Sequence, residues 1–252
     1  MFGNIKVKEA RKDSVVSEEM RAFTLFNAKA YDEEAGVFWV GEDALGFAFE
    51  CTPLVGGDSR IQERIKSLTN MDFPDETIVS YMLFRCPNTQ KELGQTMMLR
   101  EGVGDDTLSK KVVNERVKFM ERGSLKPVDE KLGTRFFDLK LIISVRIPIS
   151  ENASIEQSIN DVVQNREKVE SSLQTANLAP RLLGSKGYLQ IMGSIINGGS
   201  NASWRSGPVE YDDGRLLSDQ ILDYDKDIQV EKNHLKIGDQ YIKTLSAKRL
   251  PQ

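Results

Sequence analysis

The segment TRFFDLKLIISVRIPI, residues 134–149, alternates between two sets of positions in the manner of a β-strand. One alternating set is apolar throughout and comprises Phe137, Leu139, Leu141, Ile143, Val145 and Ile147. The other set is interrupted by Asp138, Lys140, Ser144 and Arg146. Because successive side chains of a strand point to opposite faces, the segment predicts a long strand with one face in the core and the other partly in water.

Three further segments predict strands of a sheet around this one. Residues 36–51 hold two apolar runs on either side of Gly41-Glu42-Asp43, which is typical of a hairpin with a polar turn. Residues 76–85 are apolar on both alternating sets, which predicts a strand buried on both faces. Residues 227–251 predict a short hairpin that turns at Lys232-Asn233, followed by a longer strand.

Helical patterns separate these strands. Ser154 and Gln157 form a capping box at the start of a long helix, whose apolar positions recur at heptad spacing from Ile155 onward with Arg166 in the seam. This spacing fits a helix packed on another helix of the chain, and an intermolecular coiled coil is the alternative. Residues 185–197 are apolar around most of the circumference, so we expect this helix to be buried by its own core or by a partner.

These patterns predict an α+β fold, with a mainly antiparallel sheet and helices packed chiefly on one face. We expect a flexible arm over residues 1–22, an α+β domain over residues 23–252 and a helical subdomain over residues 154–225 within it. No apolar run approaches the roughly 20 residues needed to cross a bilayer, and the polar start is unlike a signal peptide. The sequence therefore predicts a cytoplasmic chain.

The turn Gly56-Gly57-Asp58 stands between a predicted strand and a predicted helix, where phosphate-binding loops are found. A P-loop needs a second glycine followed by Lys and Ser or Thr, and the Asp58 carboxylate would repel a phosphate. We interpret the turn as structural, with Asp58 or Ser59 capping the helix and Ser59 and Gln62 fitting a capping box. No cofactor is expected in this chain.

Residues with catalytic or metal-binding chemistry are sparse. His234 is the only histidine and has no carboxylate or cysteine at motif spacing, so it is expected to be a turn residue. The two cysteines, Cys51 and Cys86, lack metal-ligand spacing and are expected to be reduced core thiols. The sequence therefore predicts no catalytic residue and no metal site.

The charge pattern bears on nucleic-acid binding. A net charge of −4 disfavours a dedicated nucleic-acid protein, which usually carries a basic surface. A helix predicted from about Asp106 to Glu121 is expected to turn five apolar residues inward: Leu108, Val112, Val113, Val117 and Met120. Its outer face carries Lys110, Lys111, Arg116 and Lys118. Glu115 and Glu121 are interleaved with them, which favours a solvated face over a phosphate-binding patch.

The apolar helix at residues 185–197 and the turn-rich stretch after it suggest a partner-binding surface. The helix has more apolar surface than one contact with a sheet can cover, and Trp and Arg are residue types that anchor interfaces. We therefore predict partner contacts from six residues, with complete burial in the chain's own core as the alternative: Tyr188, Ile191, Met192, Ile195, Trp204 and Arg205.

A series of short motifs, collinear over nearly the whole chain, resembles the N-terminal region of TraC-type conjugation ATPases, the assembly ATPases of type IV secretion systems. The order of the motifs carries the resemblance: Tyr31-Asp32, residues 36–39, Glu42-Asp43, residues 46–50, residues 53–58, the strand before residues 86–88, residues 137–148, residues 174–178, the apolar helix that ends at Asn197, Trp204, residues 211–213 and residues 244–251. In that family a RecA-like motor domain with the P-loop follows this region. The resemblance implies that such a motor lies beyond Gln252, and a truncated chain is the expectation.

The resemblance also implies what this domain does. It implies a non-catalytic assembly domain that docks the motor at the inner-membrane base of a bacterial machine for conjugative DNA transfer and pilus assembly. ATP and Mg²⁺ are expected only in the missing motor domain. The implied partners are inner-membrane subunits and other copies of the ATPase, with a cytoplasmic location peripheral to the inner membrane. A stand-alone protein or a nucleic-acid binding module that uses the basic helix is the alternative, although strong nucleic-acid binding is not expected.

Overall fold

A computed structural model of the chain describes residues 6–7, 27–54, 70–89, 107–150, 152–198, 202–205, 207–223, 228–238 and 240–243, and the single positions 56, 59, 63, 66, 94 and 245. The strands are β1 (Lys6–Val7), β2 (Ala28–Asp32), β3 (Val37–Val40), β4 (Ala44–Cys51), β5 (Ile78–Cys86), β6 (Asp138–Pro148), β7 (Arg181–Leu182), β8 (Ile228–Val230), β9 (Leu235–Ile237) and β10 (Gln240–Ile242). The helices are α1 (Thr107–Leu125), α2 (Ile155–Thr175) and α3 (Ser185–Ile196), with short 3₁₀ helices at Ser203–Arg205 and Leu217–Gln220.

The pairing of the strands confirms the α+β class with a mainly antiparallel sheet. β2 with β3, β4 with β7, β5 with β6, β8 with β9 and β9 with β10 all pair antiparallel, and β1 runs parallel to β8. The placement of the helices chiefly on one face of the sheet stays a prediction.

Backbone contacts divide the chain into two units, one formed by Met1–Ala44 with Gly184–Gln252 and the other by Leu45–Leu183. In this division α2 belongs to one unit and α3 to the other, and the predicted helical subdomain over residues 154–225 stays a prediction. Of the predicted arm over residues 1–22, only Lys6–Val7 is described, and it forms β1.

In the Leu45–Leu183 unit, β6 lies between β4 and β5. Its predicted core face is confirmed at Ile143, Val145 and Ile147, which are buried. At the other end of the apolar set, Phe137 and Leu139 are exposed. The guanidinium of Arg85 lies 3.8 Å from the centroid of the Phe137 ring and covers part of it.

The expectation that residues 76–85 form a strand buried on both faces is wrong. β5 pairs with β6 along its whole length, from Ile78 opposite Arg146 to Cys86 opposite Asp138. Leu83 is nevertheless 64% exposed, and Ile78 is exposed too. Within the described part of the chain β5 is the last strand of its sheet, so it has a neighbouring strand on one side only.

Helix α2 begins and ends with well-formed caps. The Ser154 hydroxyl accepts a hydrogen bond of 3.1 Å from the backbone N–H of Gln157, as the sequence predicts. At the other end Asn177 adopts a φ of 59°, and the backbone N–H of Leu178 donates to the carbonyl of Leu173 at 3.1 Å. This is a Schellman-type termination, in which an Asn takes the left-handed conformation more usual for Gly. The predicted seam is buried at Val162, Val169 and Leu173, whereas Ile155 is exposed.

In the other unit, five buried residues form one core cluster: Ala28, Phe38, Leu189, Leu217 and Ile221. Half-buried Tyr31, Tyr188 and Met192 pack against it. β8 and β9 form the predicted hairpin, in which the backbone N–H of Glu231 donates to the His234 carbonyl at 2.9 Å. The strand predicted after Gly238 is short, since β10 spans Gln240–Ile242.

The predicted glycine turn lies at the edge of what the structure describes. Gly56 has a φ of 87°, a conformation that favours glycine, whereas Gly57 and Asp58 lie outside the described residues. The described positions Ser59, Glu63 and Lys66 are helical, as predicted for the segment that follows the turn. Among the described residues, no helix is both long enough and apolar enough to cross a membrane.

Candidate interaction surfaces

The six residues predicted to bind a partner divide into a buried pair and four half-buried side chains. Trp204 is 1% exposed and Ile191 is also buried. Tyr188, Met192, Ile195 and Arg205 are half-buried. The partner contact itself stays a prediction, and only the half-buried members offer it accessible surface in this structure.

Tyr188 and Met192 lie on the side of α3 that faces the core cluster. The Tyr188 ring lies 5.3 Å from Phe38, and the Phe38 ring lies 4.5 Å from Tyr31 (centroid distances). Burial raises the pKa of the Tyr188 hydroxyl to about 12, so this side chain stays neutral at physiological pH. Tyr188 therefore acts as an aromatic packing group with only part of its surface open to a partner.

Trp204 packs against the C-terminal end of α3 and does not extend into solvent. Its indole N–H donates to the carbonyl of Asn197, and the side-chain amide of Gln190 donates to the Trp204 carbonyl at 3.2 Å. The guanidinium of Arg205 lies over the Trp204 ring, 4.0 Å from its centroid. The structure thus brings Trp204 and Arg205 together, and Arg205 is the member of the pair that a partner can reach.

An ionic group in the Leu45–Leu183 unit was missed by the sequence analysis. The Lys140 ammonium lies 2.7 Å from Glu50 Oε1 and 2.7 Å from Asp138 Oδ2, and Arg181 pairs with the second oxygen of Glu50. Burial alone would raise the pKa of Glu50, but the bonds to Lys140 and Arg181 outweigh it and lower the pKa. Burial alone would lower the pKa of Lys140, but Asp138 and Glu50 reverse this and raise it. All the charges of this group are compensated by one another.

The outer face of α1 differs from the sequence prediction. Lys110, Lys111, Arg116 and Lys118 are exposed as expected, and Lys118 pairs with Glu115 at 3.0 Å. Val112 was expected to turn inward, but it is 56% exposed, and Phe119 is exposed as well. Exposed apolar side chains therefore alternate with cations on this helix.

The same mixture continues in the turn that follows α1. Leu132, near the tip of this turn, is 79% exposed, and Lys126, Lys131 and Arg135 around it are exposed too. The side chain of Asp129 accepts hydrogen bonds from the backbone N–H groups of Lys131 at 2.8 Å and Leu132 at 3.2 Å, which fixes the turn. We call the exposed side chains of residues 110–135 the α1 surface.

The histidine and the two cysteines considered for catalysis lie in a turn and in the core, respectively. His234 lies in the turn between β8 and β9, with its ring 5.2 Å from that of Tyr241. Cys51 and Cys86 are buried and unbridged, as predicted, and burial together with the nearby Glu50 charge raises the pKa of the Cys51 thiol to about 11. Among the residues described, no group of three or more His, Cys, Asp or Glu side chains could hold a metal ion.

Comparison with known proteins identifies the family. The family model described as TraC protein matches residues 24–252. No curated protein and no solved structure matches the chain. Because the family match covers nearly all of the sequence, the chain belongs to the TraC protein family of type IV secretion.

Proposed function

We propose that the chain is the non-catalytic N-terminal assembly domain of a TraC-type ATPase, which docks the motor at the inner-membrane base of a conjugative secretion machine. Membership of the TraC family indicates a role in type IV secretion and conjugation. The observation that carries the proposal is that the match covers residues 24–252, while the sequence has no P-loop signature within them. ATP and Mg²⁺ then bind a motor domain outside this sequence.

The partners proposed for this domain are inner-membrane subunits of the secretion system and other copies of the ATPase. Its location is cytoplasmic and peripheral to the inner membrane of a bacterium, where it supports pilus assembly and DNA transfer. The half-buried side chains at the α3 end are the proposed contact, and Ile195 and Arg205 are its clearest members. Both have accessible surface, and neither belongs to the buried cluster that holds α3 in place.

Crosslinking in cells tests the docking function. The tagged chain is expressed with the conjugation genes of its own plasmid or host, crosslinked and purified, and the captured subunits are identified by mass spectrometry. Inner-membrane subunits should be recovered with the unaltered chain, and Ile195→Ser and Arg205→Ala should each reduce the recovery several-fold. Lys232→Ala, in the exposed β8–β9 turn, is the matched control and should leave recovery unchanged.

Two results contradict this proposal. One is recovery of the membrane subunits in the same amount with Ile195→Ser, Arg205→Ala, Lys232→Ala and an unrelated tagged protein. The other is micromolar binding of Mg-ATP at one site per chain in isothermal titration, because the proposed domain has no nucleotide site of its own. A thermal melt of each variant separates loss of contact from loss of folding.

A further inference from the structure

The charge of the α1 surface is opposite in sign to that of the whole chain. Residues 110–135 contain eight Lys or Arg and four Asp or Glu, a local net charge of +4 in a chain of net charge −4. Every one of the eight basic side chains is exposed. The excess positive charge is therefore available to a negatively charged partner.

Exposed apolar side chains lie among these cations. The exposed apolar residues of the α1 surface are Val112, Phe119, Leu125, Val128 and Leu132. Single exposed apolar side chains are common on protein surfaces, whereas several of them grouped together mark interaction sites. Lys and Arg together with Phe and Leu are the residue types found in segments that lie in the interface of a lipid bilayer.

Packing holds α1 and its following turn together. The backbone N–H of Phe136 donates to the carbonyl of Gly123 at 2.9 Å, and the rings of Phe119 and Phe136 lie 5.5 Å apart. A shallow cavity of about 290 Å³ lies between the two segments, lined by Phe119, Arg122, Gly123, Lys126, Pro127, Val128 and Glu130. Two cations, the Glu130 carboxylate and two exposed apolar side chains therefore meet at one concave place, which keeps a net positive charge.

We propose that the α1 surface binds the surface of an anionic phospholipid bilayer. Its Lys and Arg side chains contact the headgroup phosphates, and Arg122 and Lys126 hold one phosphate at the cavity. Phe119, Val128 and Leu132 enter the boundary between headgroups and acyl chains. The inference deepens the proposed function, on which its biological setting rests, because it gives the domain a lipid contact separate from its contact with membrane subunits.

The apolar side chains favour a bilayer over nucleic acid as the partner. Phosphate contacts to DNA or RNA are made by cations and polar groups, and an exposed Leu at the tip of a turn adds nothing to them. Insertion of Leu132 and Phe119 into the acyl boundary, in contrast, removes apolar surface from water. Binding should therefore be only partly released by salt.

Sedimentation with lipid vesicles tests the inference with the 252-residue chain. The vesicles contain phosphatidylglycerol and phosphatidylethanolamine, and vesicles of phosphatidylcholine alone are the neutral comparison. We expect binding to the anionic vesicles only. The double variant Arg122→Gln with Lys126→Gln should weaken it roughly 10- to 30-fold, since one cation near an anionic surface contributes roughly fivefold. Leu132→Ser should weaken it as well, and its 79% exposure leaves the fold intact.

The chain offers matched controls for both kinds of variant. Lys232→Gln with Lys243→Gln removes two exposed cations outside the α1 surface, and Leu245→Ser replaces a leucine that is 93% exposed. Both control proteins should bind as the unaltered chain does. No binding to anionic vesicles, equal binding to neutral vesicles, or equal loss in the controls overturns the inference. So does binding to labelled DNA that the Arg122 and Lys126 substitutions abolish while vesicle binding is retained.

The vesicle test and the crosslinking test can each fail while the other succeeds. Vesicles without protein contain no secretion subunit, so their result concerns only the lipid contact. A chain that captures membrane subunits but ignores anionic vesicles retains the proposed docking function and loses this inference. A chain that binds the vesicles but captures no subunit retains the lipid contact and loses the docking function.

Discussion

The indole N–H of Trp204 donates a hydrogen bond of 2.7 Å to the backbone carbonyl of Asn197, the residue that ends α3. The Asn197 side chain in turn donates to the carbonyl of Ile221 at 2.6 Å and accepts from the backbone N–H of Asp223 at 3.2 Å. Both Trp204 and Asn197 are almost fully buried. The hydrogen bonds of Trp204 and Asn197 therefore hold the turn-rich segment after α3 against the end of the helix.

Replacing Trp204 by Phe should destabilise the chain by about 2–4 kcal/mol. The substitution removes the indole donor, leaves the Asn197 carbonyl unpaired in the core and opens a small cavity. Urea unfolding measures the free energy of unfolding. The control is Trp39→Phe on β3, a half-buried position where the same change of side chain should cost about 1 kcal/mol or less. Equal losses at the two positions would contradict the role given to the Trp204–Asn197 bond.

Alanine substitution at two glycines should change the stability of the chain in opposite directions. A Cβ on Gly123 would lie 2.7 Å from Phe136 Cε2 and 2.8 Å from Val128 Cγ2, so Gly123→Ala should destabilise by about 1–3 kcal/mol. Gly94 is helical and a Cβ there meets no atom within 4 Å, so Gly94→Ala should stabilise by about 0.5–1 kcal/mol. Thermal melts of the two variants give the signs. Destabilisation at Gly94, or tolerance at Gly123, would be inconsistent with the packing.

Local patterns in the sequence predicted most of the elements, because they depend on neighbouring residues. The alternation in residues 134–149 gave β6 and its buried end at Ile143 to Ile147, and Ser154 with Gln157 gave the start of α2. The α+β class follows from such elements. Apolar periodicity indicates which residues can be buried, but not whether another layer covers them. For that reason Leu83 of β5 and Val112 were expected to be buried and are exposed.

The surfaces could be predicted less well, because they depend on residues far apart in the sequence. Glu50 and Arg181 are separated by 131 positions, and no spacing rule links them. Trp204 lies among turn-forming residues, a pattern that favours an exposed position. In the structure its indole N–H bonds to the Asn197 carbonyl and its side chain is buried. The leucine at position 132, between Lys131 and Gly133 in a polar stretch, was a signal in the sequence that could have indicated the α1 surface.

The two cysteines should resist alkylation in the folded chain. Both are buried, and a raised pKa of about 11 leaves almost no Cys51 thiolate, the reactive form, near neutral pH. Iodoacetamide at about pH 8, close to the usual thiol pKa, should label neither residue. In denaturant it should label both. Intact-mass spectrometry counts the labels and peptide mapping assigns them, and rapid labelling of Cys51 without denaturant would show that the strand end around it opens.

Removing the ammonium of Lys140 should destabilise the chain by about 2–4 kcal/mol at neutral pH. Lys140→Met leaves Asp138 and Glu50 partly buried with less compensation, although Arg181 still pairs with Glu50. Lys29→Met is the matched control, because Lys29 pairs at 3.3 Å with a Glu42 side chain that is almost fully exposed. Such a surface pair contributes about 0–1 kcal/mol.

The destabilisation by Lys140→Met should depend on pH in a defined direction. The folded pKa of Glu50 is below its usual value of 4.5, so its contribution to stability is present above that pH and is lost as the pH falls through the folded pKa. The unaltered chain therefore loses more stability on acidification than the variant, in which Glu50 lacks Lys140. Urea unfolding at pH 7 and at about pH 3.5, below the usual glutamate pKa, should show the difference between them narrowing. A difference that stays constant or widens in acid would mean that Lys140 contributes through packing of its methylene chain rather than through its charge.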